Sequence, residues 1–329
     1  MPKSNKLNSN SLDSICDVPG IKVGHAQDRV GGTGCTVILP DEDAVCGVDV
    51  AGGGPGTRET DALNPVNLIE KIQGLYLSGG SAYGLAGADG VMRWCEENNR
   101  GYDVGIGCVP IVPGAVLFDL PVADFHARPD REMGYQACLN ATAQETRSGN
   151  IGAGTGASVG KVGGMDLAMK GGLGTASLTF NNIVIGAIVA VNCLGDVIDP
   201  NTGNIIAGAL TEDKSDFVGT MNLYKKMLLE STSPQSKMSN TTIGAIATNA
   251  ALTKSQATKV SMMAHDGFAR VINPIHTLRD GDTIFTLSTG QHEADVSVIG
   301  ALAAEVMAIA VLRAVRAAES CYGLKGLAS

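Results

Sequence analysis

Glycine fills 43 of the 329 positions and stands at the borders of short β-branched runs. There is no G-X-Y period, so a collagen-like rod is excluded and the glycines are left for tight turns and close backbone approach. The runs at residues 34–39, 44–50, 74–77, 104–112, 176–180 and 183–191 read as strands. Between them, residues 81–97 read as a helix, because Leu85, Ala88, Met92 and Cys95 recur at spacings of three and four. A second helix is expected over 253–271, with Ala257, Val260, Ala264, Phe268 and Val271 on one face. A third, over 295–318, is apolar nearly all round and should be sandwiched. Strands and helices mix without strict βαβ alternation, which predicts helical layers on a mixed or antiparallel sheet.

A hydrophobic content of 44% with 17% charged residues excludes a disordered chain. The net charge is −9 and no basic stripe appears, so neither nucleic acid nor an anionic membrane is an expected partner. Residues 1–14 are polar and do not read as a secretory signal. The apolar stretch 296–312 falls short of the roughly 20 residues of a membrane span and carries Glu305. Eight cysteines without a C-x-x-C pair read as reduced thiols in a cytoplasm. The five histidines lack zinc-site spacing, and no metal site is expected.

Three motifs invite chemistry. The stretch from Gly152 to Lys161 looks like a phosphate loop, but Thr155 stands where a Walker glycine belongs and Val162 follows the lysine. It reads as a packed turn, or as a means of projecting Lys161 into a cleft. Gly79-Gly80-Ser81-Ala82-Tyr83-Gly84 falls short of a nucleophile elbow, since Tyr83 replaces its last glycine; Ser81 reads as a helix cap, and the turn's N–H groups as an anion cradle. Asp280-Gly281-Asp282 is a turn signal entering an apolar run, and two carboxylates there also suit the orientation of an ammonium group.

The fourth candidate sits at a junction. Residues 211–240 are polar, with a modest amphipathic piece at 217–229 and an exposed linker at 231–240, and then Thr241 opens an apolar run. Thr241 reads as a strand-initiating residue, or as a nucleophile. A threonine hydroxyl is weak until a base takes its proton, and a free α-amine on the same residue can be that base. That amine exists only after cleavage between Asn240 and Thr241, which the hydroxyl can itself begin by attacking the Asn240 carbonyl.

Taken in order, these segments resemble the DmpA-type aminopeptidase family, including its NylC-type nylon-oligomer hydrolases. The likeness runs from Asp17-Val18-Pro19-Gly20 through Gly79–Gly84, Gly156–Lys161, Asn240–Ile243 and His276–Thr283 to Gly300–Met307. It implies an α+β fold, a four-layer αββα sandwich of one domain, self-cleaved into residues 1–240 and 241–329. It implies Thr241 as nucleophile, Lys161, Asp282 and Asp280 beside it, and Asn192 as an oxyanion donor. Phe118 stands where better-known members have a tyrosine, and Phe118, Ser81 and Tyr83 are candidate pocket residues. No cofactor is called for. The implied substrate is a small peptide or linear amide, 6-aminohexanoate oligomers among them, and the implied assembly is a homo-oligomer of processed protomers, a tetramer. An ornithine-acetyltransferase-like acyltransferase and a non-catalytic relative are the competing readings.

Overall fold

The computed structural model describes residues 11–231 and 240–328; the greater part of the expected linker, and residues 1–10, lie outside them. Five principal strands come from the first half of the chain: β1 (Ile21–Asp28), β2 (Thr33–Pro40), β3 (Ala44–Val50), β4 (Leu75–Ser78) and β5 (Gly114–Val116). Four longer ones follow: β6 (Gly172–Phe180), β7 (Ile183–Asn192), β8 (Thr241–Ala250) and β9 (Thr283–His292). One sheet has the order β1-β2-β4-β5 and ends on the short strand Thr57–Arg58. The other runs β6-β7-β8-β9-β3 and ends on Lys71–Ile72. Both are mostly antiparallel, with parallel pairs at β4/β5 and β8/β9, as the irregular alternation of elements predicted.

Strand periodicity explains how the sheets stack. Alternate residues point to opposite faces. Ile38, Leu75 and Leu77 of the first sheet meet Ile188, Ala190, Ile243, Ala245 and Phe285 of the second in one buried cluster between them. On the outer face of the first sheet, Val37 and Tyr76 pack under α1 (Ala88–Glu97) and α2 (Arg131–Leu139) through Val91, Cys95 and Ala137. On the outer face of the second, Val189, Ile246 and Ile284 pack under two long helices. A further helix, α3 (Thr220–Leu229), precedes them in the chain. The long pair is α4 (Lys254–Val271), capped by Thr253, and α5 (Val296–Arg316), capped by Asp295. This is the αββα sandwich.

The helical faces match the periodicity: Ala257, Val260, Ala264, Phe268 and Val271 are all buried. Helix α5 is long and apolar enough to cross a membrane by composition alone, yet Ile299, Ala303, Val306, Met307 and Val311 are in the core. It is not fully sandwiched, since Ser297, Val298, Ala301 and Glu305 form an exposed stripe. Two other expectations need correction. Residues 104–112 do not form one strand; 104–109 belong to a two-stranded hairpin, Tyr102–Asp103 with Cys108–Val109, whose Val104 and Ile106 are exposed, and Ile111 and Val112 beyond it are buried without being in a strand. The expected helix over 81–97 is three pieces, Ser81–Gly84, a 3₁₀ turn at Leu85–Gly87, and α1. Close packing accounts for the break: a Cβ at Gly84 would lie 1.9 Å from the Gly79 carbonyl oxygen, and one at Gly87 1.9 Å from the Tyr76 hydroxyl.

Helix α5 approaches β6 so closely that a Cβ at Gly174 would sit 2.0 Å from the Ala310 carbonyl oxygen. Gly174→Ala is therefore expected to cost about 1–3 kcal/mol by overpacking, read from the midpoint of urea unfolding. Gly107→Ala, with open space around it, should leave that midpoint in place. Equal midpoints for the two variants would contradict the packing.

Candidate active site

The period-2 pattern that builds the inter-sheet core also brings three strand ends together. Ile243, Ala245 and Ala247 of β8 face that core, so Thr241 at the start of β8 faces it too. Ile188 and Ala190 of β7 do the same, which turns Asn192 to that side, and Asn192 is the register partner of Thr241. Just before β9, the Asp280–Asp282 turn lies beside both.

The Asn240–Thr241 peptide is buried, with Asn240 0% and Thr241 3% exposed. Asn240 continues the β8/β9 ladder outward by one parallel bridge to Asp280. Its N–H donates to the Arg279 carbonyl and its own carbonyl oxygen accepts the Gly281 N–H, both at 2.8 Å. The Thr241 hydroxyl lies 2.5 Å from that same oxygen. The nucleophile candidate thus touches the carbonyl group it would attack.

Asp282 is buried and anchors the chain just past Thr241. One carboxylate oxygen accepts the Thr242 N–H at 2.7 Å. The other accepts the His276 backbone N–H at 3.1 Å and pairs with its Nδ1 at 2.9 Å. His276 adopts φ 58°, uncommon for a residue with a side chain, and this conformation turns its backbone and its ring to one oxygen. The His276 ring packs edge-on against His265, whose Nε2 lies 3.5 Å from Asp49. Asp280 is held from one side only: an oxygen accepts the Thr277 N–H and hydroxyl at 2.8 and 2.6 Å, while Oδ1 is buried without a hydrogen-bond partner. Burial, then the like charge of Asp282, raises the Asp280 carboxyl above the usual carboxylate range.

Lys161 is 2% exposed. Its Nζ donates to the Asn192 carbonyl at 2.9 Å and to Asn192 Oδ1 at 2.8 Å. Because an ammonium only donates, this contact fixes which amide atom is oxygen. Oδ1 also accepts the Ser158 N–H at 3.0 Å, and Nδ2 donates to the Phe118 carbonyl at 3.1 Å. Burial pushes the lysine down to about 7, against the pull of Cys193, Asp280, Asp119 and Asp282. The amine is therefore less basic than that of an exposed lysine.

Phe118 contributes a backbone carbonyl here, while the tyrosine hydroxyl expected of its relatives has no counterpart at this position. The next residue, Asp119, is buried and was not anticipated. It accepts the Thr33 hydroxyl at 2.7 Å and the Gly80 N–H at 2.6 Å, and burial raises its carboxyl to about 6. These bonds, with Ser81 N–H to the Leu117 carbonyl at 2.9 Å, tie the Gly79–Ser81 turn to the segment beside Asn192. Tyr83 goes elsewhere: its ring is exposed, with the Arg128 guanidinium 3.6 Å from its centroid.

Thr241, Asn192, Lys161, Asp280 and Asp282 come together; Ser81 is linked through residues 117–119; Tyr83 is on the surface. Gly281 and His276 were seen in sequence only as parts of motifs. A third unheralded element is the loop after β3, where Ala51 and Gly52 N–H groups donate to the Asp282 carbonyl and Gly54 N–H to that of Asp280. The Gly52-Gly53-Gly54 run was the signal for it. Chemically, the cluster combines a hydroxyl against a buried carbonyl, a backbone donor on that carbonyl, an amine of lowered basicity and two carboxylates. Among the described residues, no group of three or more His, Cys, Asp or Glu is placed to hold a metal.

Known proteins share this chain's features over nearly all its length. The model of Peptidase family S58 matches residues 13–329. An uncharacterized aminopeptidase of Mycobacterium leprae is 44% identical, over 95% of this chain and 92% of its own. A 6-aminohexanoate-oligomer endohydrolase of Kocuria sp. is 31% identical, over 91% of this chain and 85% of its own. Among solved structures, the L-aminopeptidase D-Ala-esterase/amidase of Ochrobactrum anthropi, described as a variant of the Ntn hydrolase fold, superposes with a TM-score of 0.73 at 18% identity, covering 98% of this chain and 92% of that one.

Proposed function

The chain belongs to peptidase family S58 and is a hydrolase of amide bonds, and from that premise we propose that it is a self-activating threonine amidohydrolase. In this reading one domain is made as a precursor and cut between Asn240 and Thr241, and residues 1–240 and 241–329 stay together. The observation that carries it is the Thr241 hydroxyl lying against the Asn240 carbonyl inside a buried cluster with Lys161, Asn192, Asp280 and Asp282.

After cleavage, the freed Thr241 amine takes the proton of its own hydroxyl as the oxygen attacks a substrate amide. The C–N bond breaks, the leaving amine departs with a proton, and an acyl ester on Thr241 remains for water to hydrolyse. Asp282 holds Thr242, and so the nucleophile, in place. Lys161 orients Asn192, whose amide group stabilises the developing oxyanion once it turns from Phe118. The open Asp280 Oδ1 suits a cationic amine, either that of Thr241 or that of a substrate. The substrate class is small peptides and linear amides, with 6-aminohexanoate oligomers included on the strength of the endohydrolase relatives. A cytoplasmic homo-oligomer fits the eight free thiols and the exposed apolar hairpin residues Val104, Ile106 and Val109.

The test is to incubate processed protein with aminoacyl amides and 6-aminohexanoate oligomers and to follow amine release. Release in water alone, unchanged by an added amine acceptor, is expected. Turnover that appears only with the acceptor would assign an acyltransferase instead, and no turnover of any linear amide would remove the hydrolytic reading.

A further inference from the structure

Resting on that self-cleavage reading, we infer that the backbone N–H of Gly281 is the oxyanion donor for cleavage of the Asn240–Thr241 bond. The N–H is 2.8 Å from the Asn240 oxygen, the atom on which negative charge develops when Thr241 attacks. The attacking hydroxyl is already at that oxygen, 2.5 Å away. The other donors of the site are committed elsewhere, Asn192 Nδ2 to the Phe118 carbonyl and Lys161 Nζ to Asn192. The flanking carboxylates of Asp280 and Asp282 are acceptors, and their anchors at Thr277, Thr242 and His276 hold the turn so that its N–H points at the carbonyl.

An ordinary ladder bond would show the same distance. Two features set this one apart. The bond belongs to an isolated bridge that ends the ladder at the reacting peptide. And position 281 admits no side chain: a Cβ there would lie 2.9 Å from the Thr241 hydroxyl oxygen and 2.8 Å from the Gly54 carbonyl oxygen. Glycine between the two aspartates thus lets the backbone donor and the nucleophile converge on one carbonyl.

The step balances within the chain and one water. Oγ of Thr241 bonds to the Asn240 carbonyl carbon, and the oxygen takes the charge against the Gly281 N–H. Collapse breaks the C–N bond, and the hydroxyl proton ends on the Thr241 nitrogen, leaving an ester. Water then adds and the C–Oγ bond breaks, giving the Asn240 carboxylate, the Thr241 hydroxyl and the free amine.

The test replaces Gly281 by glycolic acid during translation, which exchanges the N–H for an oxygen and adds no atoms. Full-length wild type, Thr241→Ala and the glycolate chain are followed by gel and N-terminal sequencing, with melting temperature measured alongside. Loss of one oxyanion donor costs about 10²–10³ in rate, so the glycolate chain is expected to cleave 10²–10³-fold more slowly while melting as a folded protein. Wild-type cleavage in a folded glycolate chain overturns this inference and leaves self-cleavage standing. A wild type that never cleaves removes the underlying reading and this inference with it. Should the glycolate chain not fold, amide exchange at Gly281 in the Thr241→Ala precursor decides: protection supports the bond, and exchange at an open-chain rate overturns it.

Discussion

Thr241→Ala is expected to stay a single chain and to lose at least about 10⁴-fold in activity on linear amides, because a nucleophile acting in concert with its base is removed. Wild type is expected to separate on a denaturing gel into a piece ending at Asn240 and a piece beginning at Thr241. On the proposed mechanism the substitution takes away both functions of the residue, because without the hydroxyl the chain would not be cut, and without the cut there would be no α-amine. Thr241→Ser keeps the hydroxyl and so should still be cut. The fold should survive in Thr241→Ala, since the side chain lost is a short one at a strand end. Two fragments from the alanine variant, with the smaller still starting at position 241, would show that another group or a contaminating protease cuts the chain.

Lys161→Met is expected to slow self-cleavage by about 10²–10⁴-fold, the usual contribution of a positioned base, and to abolish its pH dependence near neutrality. The precursor has no free amine at Thr241, so the first proton must go to a side chain, and burial brings Lys161 down to about 7. Cleavage by wild type should therefore rise as pH passes through about 7, where the amine becomes neutral, and that limb should be missing in Lys161→Met. Stability provides an independent check of sign. The lysine's folded value lies below its usual 10.5, so between about 7 and 10.5 the unfolded chain binds more protons than the folded one. Its burial thus costs most below pH 7, and stability recovers as pH rises through that window. Lys170, pushed by burial down to about 8, adds a slope of the same sign above pH 8. Urea midpoints of Thr241→Ala and of the double variant with Lys161→Met, taken across pH 6–10, should differ in slope. Identical slopes, or a neutral-pH limb that persists without Lys161, would exclude the lysine as the base.

Glycine-bounded strands and the buried faces of α4 and α5 were legible in the sequence, because a strand repeats every two residues and a helix every 3.6. So was the resemblance that singled out Thr241, Lys161, Asn192, Asp280 and Asp282. The hairpin at residues 102–109 was misread because β-branched residues favour a strand wherever they stand, and composition does not say whether a sheet is there to receive them. The helix at 81–97 was misread because Gly84 packs onto the carbonyl of Gly79 in the turn before it and Gly87 onto the hydroxyl of Tyr76 on β4, contacts that the apolar spacing does not show.

What the sequence determined by itself is the alternation that sends Ile243, Ala245 and Ala247 inward, and with them Thr241. What only the tertiary structure decided is who meets Thr241 there. Lys161 reaches Asn192 across 31 residues, Asp282 reaches back 40 to the Thr242 N–H, and the Gly281 N–H finds the Asn240 carbonyl through a bridge between two strand ends. Such contacts depend on register between strands distant in the chain, and register is set by the packing of both sheet faces together, which no local pattern carries.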